Sequence, residues 1–261
     1  MLLYKKWGQV FLTDKNILSK IEKVLPPHPC YVEIGAGTGI LTEILAKKGK
    51  VLAIEKDRRF VEVLKEKFKR SQNVKVFQGD ALFLLKKINL QGLIVVGNIP
   101  YCITSPLLRV IFEKKNLPED IFFTVQKEIA QRICEKNKKS CFLSAFVNFY
   151  AFPKIIFYIS RNSFFPKPKV DSAFVEILPK KTLPFEDKKD FLKMLKVGYA
   201  FKRKTLLNNF LKHLKDKKEE FKKTFSQLSW APKRPEELKL KDWEKIFQFL
   251  SENNFLNKLK V

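Results

Sequence analysis

The 261-residue chain offers a metal ion very little. It has four cysteines (Cys30, Cys102, Cys134 and Cys141), none in a C-x-x-C pair, and two histidines, His28 and His213, at no ligand-like spacing from them. Neither a zinc site nor a disulfide framework is expected, and the cysteines read as buried free thiols. No segment approaches the ~20 apolar residues that a membrane-spanning helix requires. Met1–Lys6 is too short an apolar run for a secretory signal, so a cytoplasmic protein without a membrane partner is the expectation. Internal repeats and low-complexity linkers are also missing. Acidic residues are scarce, with 27 Asp+Glu against 52 Lys+Arg, a formal net charge of +25.

What is present describes a folded chain that meets a polyanion. Hydrophobic residues make up 45% of the sequence and include 25 Phe, which argues against disorder. A positive field of this size attracts nucleic acid or anionic lipid. Residues 181–261 carry 21 Lys+Arg against 11 Asp+Glu, and the preceding part is basic too, so a broad binding face is expected rather than a charged tail. Adaptation to heat explains Lys paired with Glu, not the excess of Lys.

Periodicity sets the organisation. Asp14–Leu25 places Ile17, Leu18, Ile21, Val24 and Leu25 on one helical face, and Pro26-Pro27 ends the run. Apolar runs at Tyr31–Ile34, Val51–Ile54, Val74–Phe77, Leu93–Val96 and Ile121–Val125 read as strands. The stretches between them, Leu41–Lys48, Phe60–Phe68 and Pro106–Lys114, have helical spacing. This alternation implies a parallel sheet with helices on both faces. Phe142–Ile159, interrupted at Pro153-Lys154, and Ala173–Leu178 read as antiparallel strands closing the sheet edge. After Pro179 the pattern is Lys-rich and helical, so two domains are expected, residues 1–180 and 181–261.

Three strand ends carry related chemistry. Val32-Glu33-Ile34-Gly35-Ala36-Gly37-Thr38-Gly39 is a strand entering a glycine turn, where the backbone can turn tightly and approach a ligand. The spacing is G-x-G-x-G, not the G-x-G-x-x-G of dehydrogenases, and resembles the first motif of class I methyltransferases, whose glycine loop, with Gly35 and Gly37 here, underlies the amino-acid part of S-adenosylmethionine. Glu55 ends the second strand, where a carboxylate can accept both hydroxyls of a ribose diol. Asp80-Ala81 follows the third, where the resemblance implies a carboxylate for the adenine amino group and a small residue packed on the ring.

The most specific segment is Asn98-Ile99-Pro100-Tyr101. It fits the pattern Asn, Asp or Ser, then Pro, Ile or Leu, then Pro, then Tyr or Phe, found in methyltransferases acting on an amine conjugated to a ring. Such an amine is a poor nucleophile because its lone pair is delocalised. The Asn98 side-chain oxygen and a backbone carbonyl near Ile99–Pro100 can accept its two N–H bonds and align the lone pair with a methyl donor, with Tyr101 stacked on the base.

These motifs, with Gly8–Leu12, Val125–Ala130, Phe164–Ser172 and Phe201–Leu206, make the chain resemble the KsgA-type ribosomal RNA adenine dimethyltransferases, the family that includes the erythromycin-resistance methylases. The resemblance covers nearly the whole chain. It implies a class I S-adenosylmethionine-dependent methyltransferase fold, α/β with a Rossmann-like seven-stranded sheet, followed by a small α-helical C-terminal domain. It implies S-adenosyl-L-methionine as cofactor with no metal, held by Val10, Leu12, Gly35, Gly37, Glu55, Asp80, Ala81 and Asn98. Val10 departs from the usual Asn or His and can contribute only backbone. Asn98, Pro100, Tyr101 and Phe164 would form the catalytic group, Phe164 closing an aromatic clamp on the adenine, although a Phe there could equally fill the core. Lys202, Arg203 and Lys204, at the start of a helix, would contact RNA phosphates, a solvated face being the alternative. The implied partner is 16S rRNA in the small ribosomal subunit, with two adjacent adenines each dimethylated by a monomeric enzyme. A non-catalytic ribosome-assembly factor, a 23S rRNA methyltransferase and a DNA adenine methyltransferase are the competing readings.

Overall fold

The computed structural model describes residues 10–134, 140–185 and 188–260. Gly8 and Gln9, which open the N-terminal motif, lie outside the described residues. A short strand β1 (Phe11–Leu12) leads to α1 (Lys15–Val24), whose N-cap Asp14 accepts the backbone N–H groups of Asn16 and Ile17. Alternation then runs through β2 (Cys30–Ile34), α2 (Ile40–Ala46), β3 (Lys50–Glu55), α3 (Arg58–Lys67), β4 (Val74–Gln78), α4 (Ala81–Lys87), β5 (Ile94–Asn98), α5 (Thr104–Phe112), β6 (Asp120–Gln126) and α6 (Lys127–Ile133). α7 (Phe142–Tyr150), β7 (Ala151–Ile159), β8 (Phe164–Phe165) and β9 (Ser172–Pro179) follow.

Seven strands form one sheet in the order β4-β3-β2-β5-β6-β9-β7. The five from β4 to β6 pair in parallel, and β9 runs antiparallel to β6 from Phe122↔Glu176 to Gln126↔Ser172. This is the class I methyltransferase fold. The central strands read as unbroken apolar runs because helices cover both faces: Tyr31, Val32, Val95, Val96, Ile121 and Phe123 are all buried. Strand order reverses between β2 and β5, and a crevice at such a switch point, outside the carboxyl ends of the strands, is where open α/β sheets bind ligands. A separate two-stranded ribbon pairs β1 with β8 across some 150 residues of sequence, Leu12 opposite Phe164 and Phe11 opposite Phe165.

Two expectations need correction. Phe142–Tyr150 is a helix, not a strand: Phe142, Phe146, Phe149 and Tyr150 recur at helical spacing, and the Cys141 N–H donates to the Ser144 hydroxyl at its start. Aromatic content suggested a strand there, and the 3.6-residue period prevailed. Pro153 lies inside β7 rather than breaking it, and β7 is the edge strand, the place in a sheet where proline is tolerated.

Two compact units result, Met1–Ala130 with Phe152–Pro179, and Gln131–Ala151 with Lys180–Val261. Residues 131–151, read from sequence as part of the first domain, group with the later helices. Ring packing gives the reason: Phe149 stacks on Phe191 at 4.1 Å and Phe142 meets Tyr199 edge-on. This second unit also contains α8 (Lys188–Gly198), α9 (Leu206–His213), α10 (Lys218–Phe225) and α11 (Leu240–Glu252). No disulfide joins the cysteines, and none is buried: Cys102 is exposed and Cys30, Cys134 and Cys141 are half-buried. Among the described residues no helix is long and apolar enough to cross a membrane, and no cluster of His, Cys, Asp or Glu could hold a metal ion.

Candidate active site at the carboxyl ends of the central strands

A cavity of about 330 Å³ opens at the switch point, lined by Val10, Leu12, Gly35, Gly37, Glu55, Asp80, Ala81, Asn98 and Pro100 among others. The strand-end residues singled out in the sequence thus meet in one place. Gly35, Gly37 and Gly39 have φ of +72°, +55° and +80°, values that L side chains rarely adopt. At Gly37 space is short as well, since a Cβ would stand 2.8 Å from the Phe11 ring. β1 therefore lies directly against the glycine loop, and Phe11 in turn packs on Phe60 with centroids 5.1 Å apart.

Glu55 is anchored by three backbone donors. Its Oε2 accepts the Gly37 N–H and its Oε1 the N–H groups of Lys56 and Asp57, all at 2.8 Å. Of the roughly four acceptor positions of a carboxylate, one remains for a ligand hydroxyl. Asp80 caps α4 by accepting the Leu82 N–H and also takes the Lys56 ammonium at 2.9 Å, an ion pair that holds its carboxyl below the usual range. Glu33 sits beneath the loop, fully enclosed, and accepts the Thr42 hydroxyl at 2.5 Å. Burial pushes its pKa up to about 8, so it is mostly protonated at neutral pH and adds little negative charge to the cavity.

The Asn98 side chain is fixed at one end only. Its Nδ2 donates to the Val10 carbonyl at 2.8 Å, which gives Val10 a backbone role that needs no polar side chain. Its Oδ1 is buried and has no hydrogen-bond partner. A buried acceptor left unmade is costly, and here it belongs to a residue that lines the cavity. The Pro100 carbonyl accepts the Ile103 N–H at 3.0 Å and retains a second lone pair.

Tyr101 opens a short 3-10 turn, Tyr101–Ile103, and its hydroxyl bonds the Ser172 Oγ at 2.8 Å. Burial raises the phenol pKa, so Tyr101 stays neutral. Phe164 lies in β8 only 4% exposed, in the apolar cluster that includes Leu12, whereas its neighbour Phe165 is 65% exposed. Neither Tyr101 nor Phe164 lines the cavity itself. Sequence reasoning missed Phe11, Thr42 and Ser172 as parts of this site. Ser172 ends a motif already noted, but only its hydrogen bond to the Tyr101 hydroxyl shows what it meets.

The basic triplet is placed differently from the expectation. Lys202, Arg203 and Lys204 occupy the turn before α9, which starts at Leu206 behind the N-cap Thr205. Lys202 and Arg203 are exposed and Lys204 is half-buried.

Comparison with known proteins agrees with this geometry. A family model described as ribosomal RNA adenine dimethylase matches residues 2–252. The ribosomal RNA small subunit methyltransferase A of Mycoplasmopsis pulmonis is 37% identical over 249 residues, 93% of this chain and 97% of that protein. The protein of the same name from Fusobacterium nucleatum is 38% identical over 224 residues, 82% of this chain and 85% of its own length. Among solved structures, a dimethyladenosine transferase from Plasmodium falciparum superposes with a TM-score of 0.79 at 26% identity, covering 94% of this chain and 98% of that one. The 23S rRNA methyltransferase ErmE shares the fold, with a TM-score of 0.71 at 22% identity over 92% of this chain and 99% of its own. A match of this extent, over residues that converge on one cavity, decides the matter: the chain belongs to the ribosomal RNA adenine dimethylase family.

Proposed function

We propose that this chain transfers methyl groups from S-adenosyl-L-methionine to N6 of two adjacent adenines in a hairpin loop near the 3′ end of 16S rRNA, giving dimethyladenosines, and acts in small-subunit biogenesis. The observation that carries the reading is the orphaned Asn98 Oδ1 at the glycine-lined cavity. It is an acceptor held ready for a donor that the protein does not supply.

The residues fit the cofactor. Gly35 and Gly37 leave room for its amino-acid part, Glu55 keeps an acceptor for a ribose hydroxyl, and Asp80 with Ala81 offers a carboxylate and a small surface to the adenine. Leu12 and the backbone of Val10 complete the wall. When bound, S-adenosylmethionine supplies an electrophilic methyl group on a sulfonium.

The remaining work belongs to the chain. Asn98 Oδ1 and the free lone pair of the Pro100 carbonyl accept the two N–H bonds of the target amine and draw its lone pair out of conjugation with the ring. Val10, by holding Asn98 Nδ2, fixes which way Oδ1 points. The Tyr101 ring, tethered by Ser172, stacks on the adenine, and Phe164 supplies the opposite face. An adenine inside a helix cannot reach such a site, so the target is single-stranded or flipped out. Positioning dominates, because the methylated amine is acidic enough to give its proton to water.

Lys202, Arg203 and Lys204 contact rRNA phosphates from the helical unit. The protein works as a monomer in the cytoplasm and needs no metal. Labelled methyl transfer to isolated small subunits, with isolated 23S rRNA in a parallel reaction, tests the reading. Incorporation into small subunits is expected. Label confined to 23S rRNA would reassign the substrate, and RNA binding without label would make the chain an assembly factor.

A further inference from the structure

The helical unit carries a second arrangement with its own chemistry. Phe201 is 40% exposed, an unusual place for a large ring in a chain that buries most of its Phe side chains. Two ammonium groups lie over it, Lys212 Nζ at 4.5 Å and Lys204 Nζ at 5.5 Å from the ring centroid. Among the described residues neither is paired with a carboxylate. The Lys212 side chain stands close enough to Lys204 to hold the Lys204 pKa below the ordinary lysine value. Like charges this close, in an otherwise open position, create a local field that an anion would relieve.

The loop beneath them is fixed. Asn209 is fully buried; its Oδ1 accepts the Phe201 N–H at 2.9 Å and its Nδ2 lies 3.2 to 3.4 Å from the carbonyls of Phe201, Lys204 and Thr205. His213 closes one side, bonded to the Asn209 carbonyl at 2.8 Å, with its ring 5.8 Å from Phe201. A rigid base under two flexible cations is what a stacking platform needs: the lysine stems can swing away while the ring stays in place. A cation over an exposed ring is held less strongly than a stacked base, so the exchange favours the base.

We propose that Phe201, Lys204 and Lys212 form a nucleotide-binding platform in which Phe201 stacks on an unpaired base of the RNA and the two lysines share the adjoining phosphate. The proposal rests on the reading of this chain as an rRNA-modifying enzyme, and adds Phe201 and Lys212 to its RNA contacts.

The test is binding of the full chain to a fluorescein-labelled single-stranded oligoribonucleotide, measured as Kd across a potassium chloride series. Phe201→Ala raises Kd about tenfold without changing the salt slope, and Phe201→Trp binds at least as well as the parent. Lys204→Gln with Lys212→Gln lowers the slope of log affinity against log salt by about 0.7, the value for one single-strand phosphate. Should Phe201→Ala destabilise the fold, Phe201→Leu keeps the apolar volume and gives the same readout. Unchanged Kd in both Phe201 variants, an unchanged slope, or a slope reduced by about 1.4 would each overturn the shared platform. Methyl transfer is read separately: these variants raise the KM for rRNA more than they lower kcat. If the parent methylates no rRNA while Phe201→Ala still weakens oligonucleotide binding, the platform stands and the proposed substrate falls.

Discussion

At the scale of single residues, the account turns on Asn98, whose amide is held at nitrogen by Val10 and left open at oxygen. Replacing it by Ala removes the acceptor proposed for the target amine, and kcat for methyl transfer should fall about 100-fold or more. Asp keeps the acceptor and should retain more activity than Ala in the same steady-state assay. Glu33 gives a different signal. Its carboxyl is raised from 4.5 to about 8 by burial, so between those values the folded protein keeps a proton that the unfolded chain has released. The stability this group contributes is fully present below about pH 4.5 and is lost as pH rises through about 8. Glu33→Gln should therefore flatten the decline of Tm between about pH 5 and pH 9, and an identical pH profile in the variant would contradict a protonated Glu33. Asn98, Glu55 and Asp80 were legible in sequence because each stands at the end of its own strand, Asn98 and Asp80 directly after a glycine. Phe11, Thr42 and Ser172 were not. Each acquires its role from a partner on another element, Gly37, Glu33 or Tyr101, which local pattern does not reveal.

At the scale of elements, the ribbon of β1 and β8 ties the wall of the glycine-lined cavity to Phe164. Leu12 faces Phe164 in register, and both are buried in one apolar cluster. Phe164 is 4% exposed and does not line the cavity, but its strand pairs with β1, which does, so a clamp would act from a ring that also fills the core. Phe164→Leu, which keeps most of the volume, should lower kcat at least tenfold while the Kd for S-adenosylmethionine, measured by calorimetry, stays within about twofold. Equal losses of turnover and cofactor affinity would refute the clamp. Phe164→Ala should also destabilise by about 3–5 kcal/mol. The parallel strands β2, β3, β5 and β6 were easy to read because they are largely buried on both faces and bounded by turns. β1 and β8 were not, since two residues are too few to show a period, and α7 was hidden by its aromatic content.

At the scale of the whole molecule, a net charge of +25 spread over both parts of the sequence is a property no single contact explains. It raises the local concentration of RNA and makes affinity depend on salt. Replacing Lys202, Arg203 and Lys204 by Ala should reduce the salt slope for single-stranded RNA by about 1.4, near 0.7 for each phosphate held by Lys202 and Arg203 while Lys212 keeps the one it shares with Lys204, and an unchanged slope in the titration would remove the turn from the interface. Charge and its breadth were plain from composition. Which basic residues stand together was not, because Lys212 reaches Lys204 only through the turn of α9. The most direct test of the central claim is mass spectrometry of small-subunit rRNA from unmodified particles after incubation with the protein and S-adenosylmethionine. The parent chain should give N6,N6-dimethyladenosine at two adjacent positions and Asn98→Ala at neither. Unmodified adenines in the presence of a bound cofactor, or equal modification by the Asn98 variant, would contradict that claim.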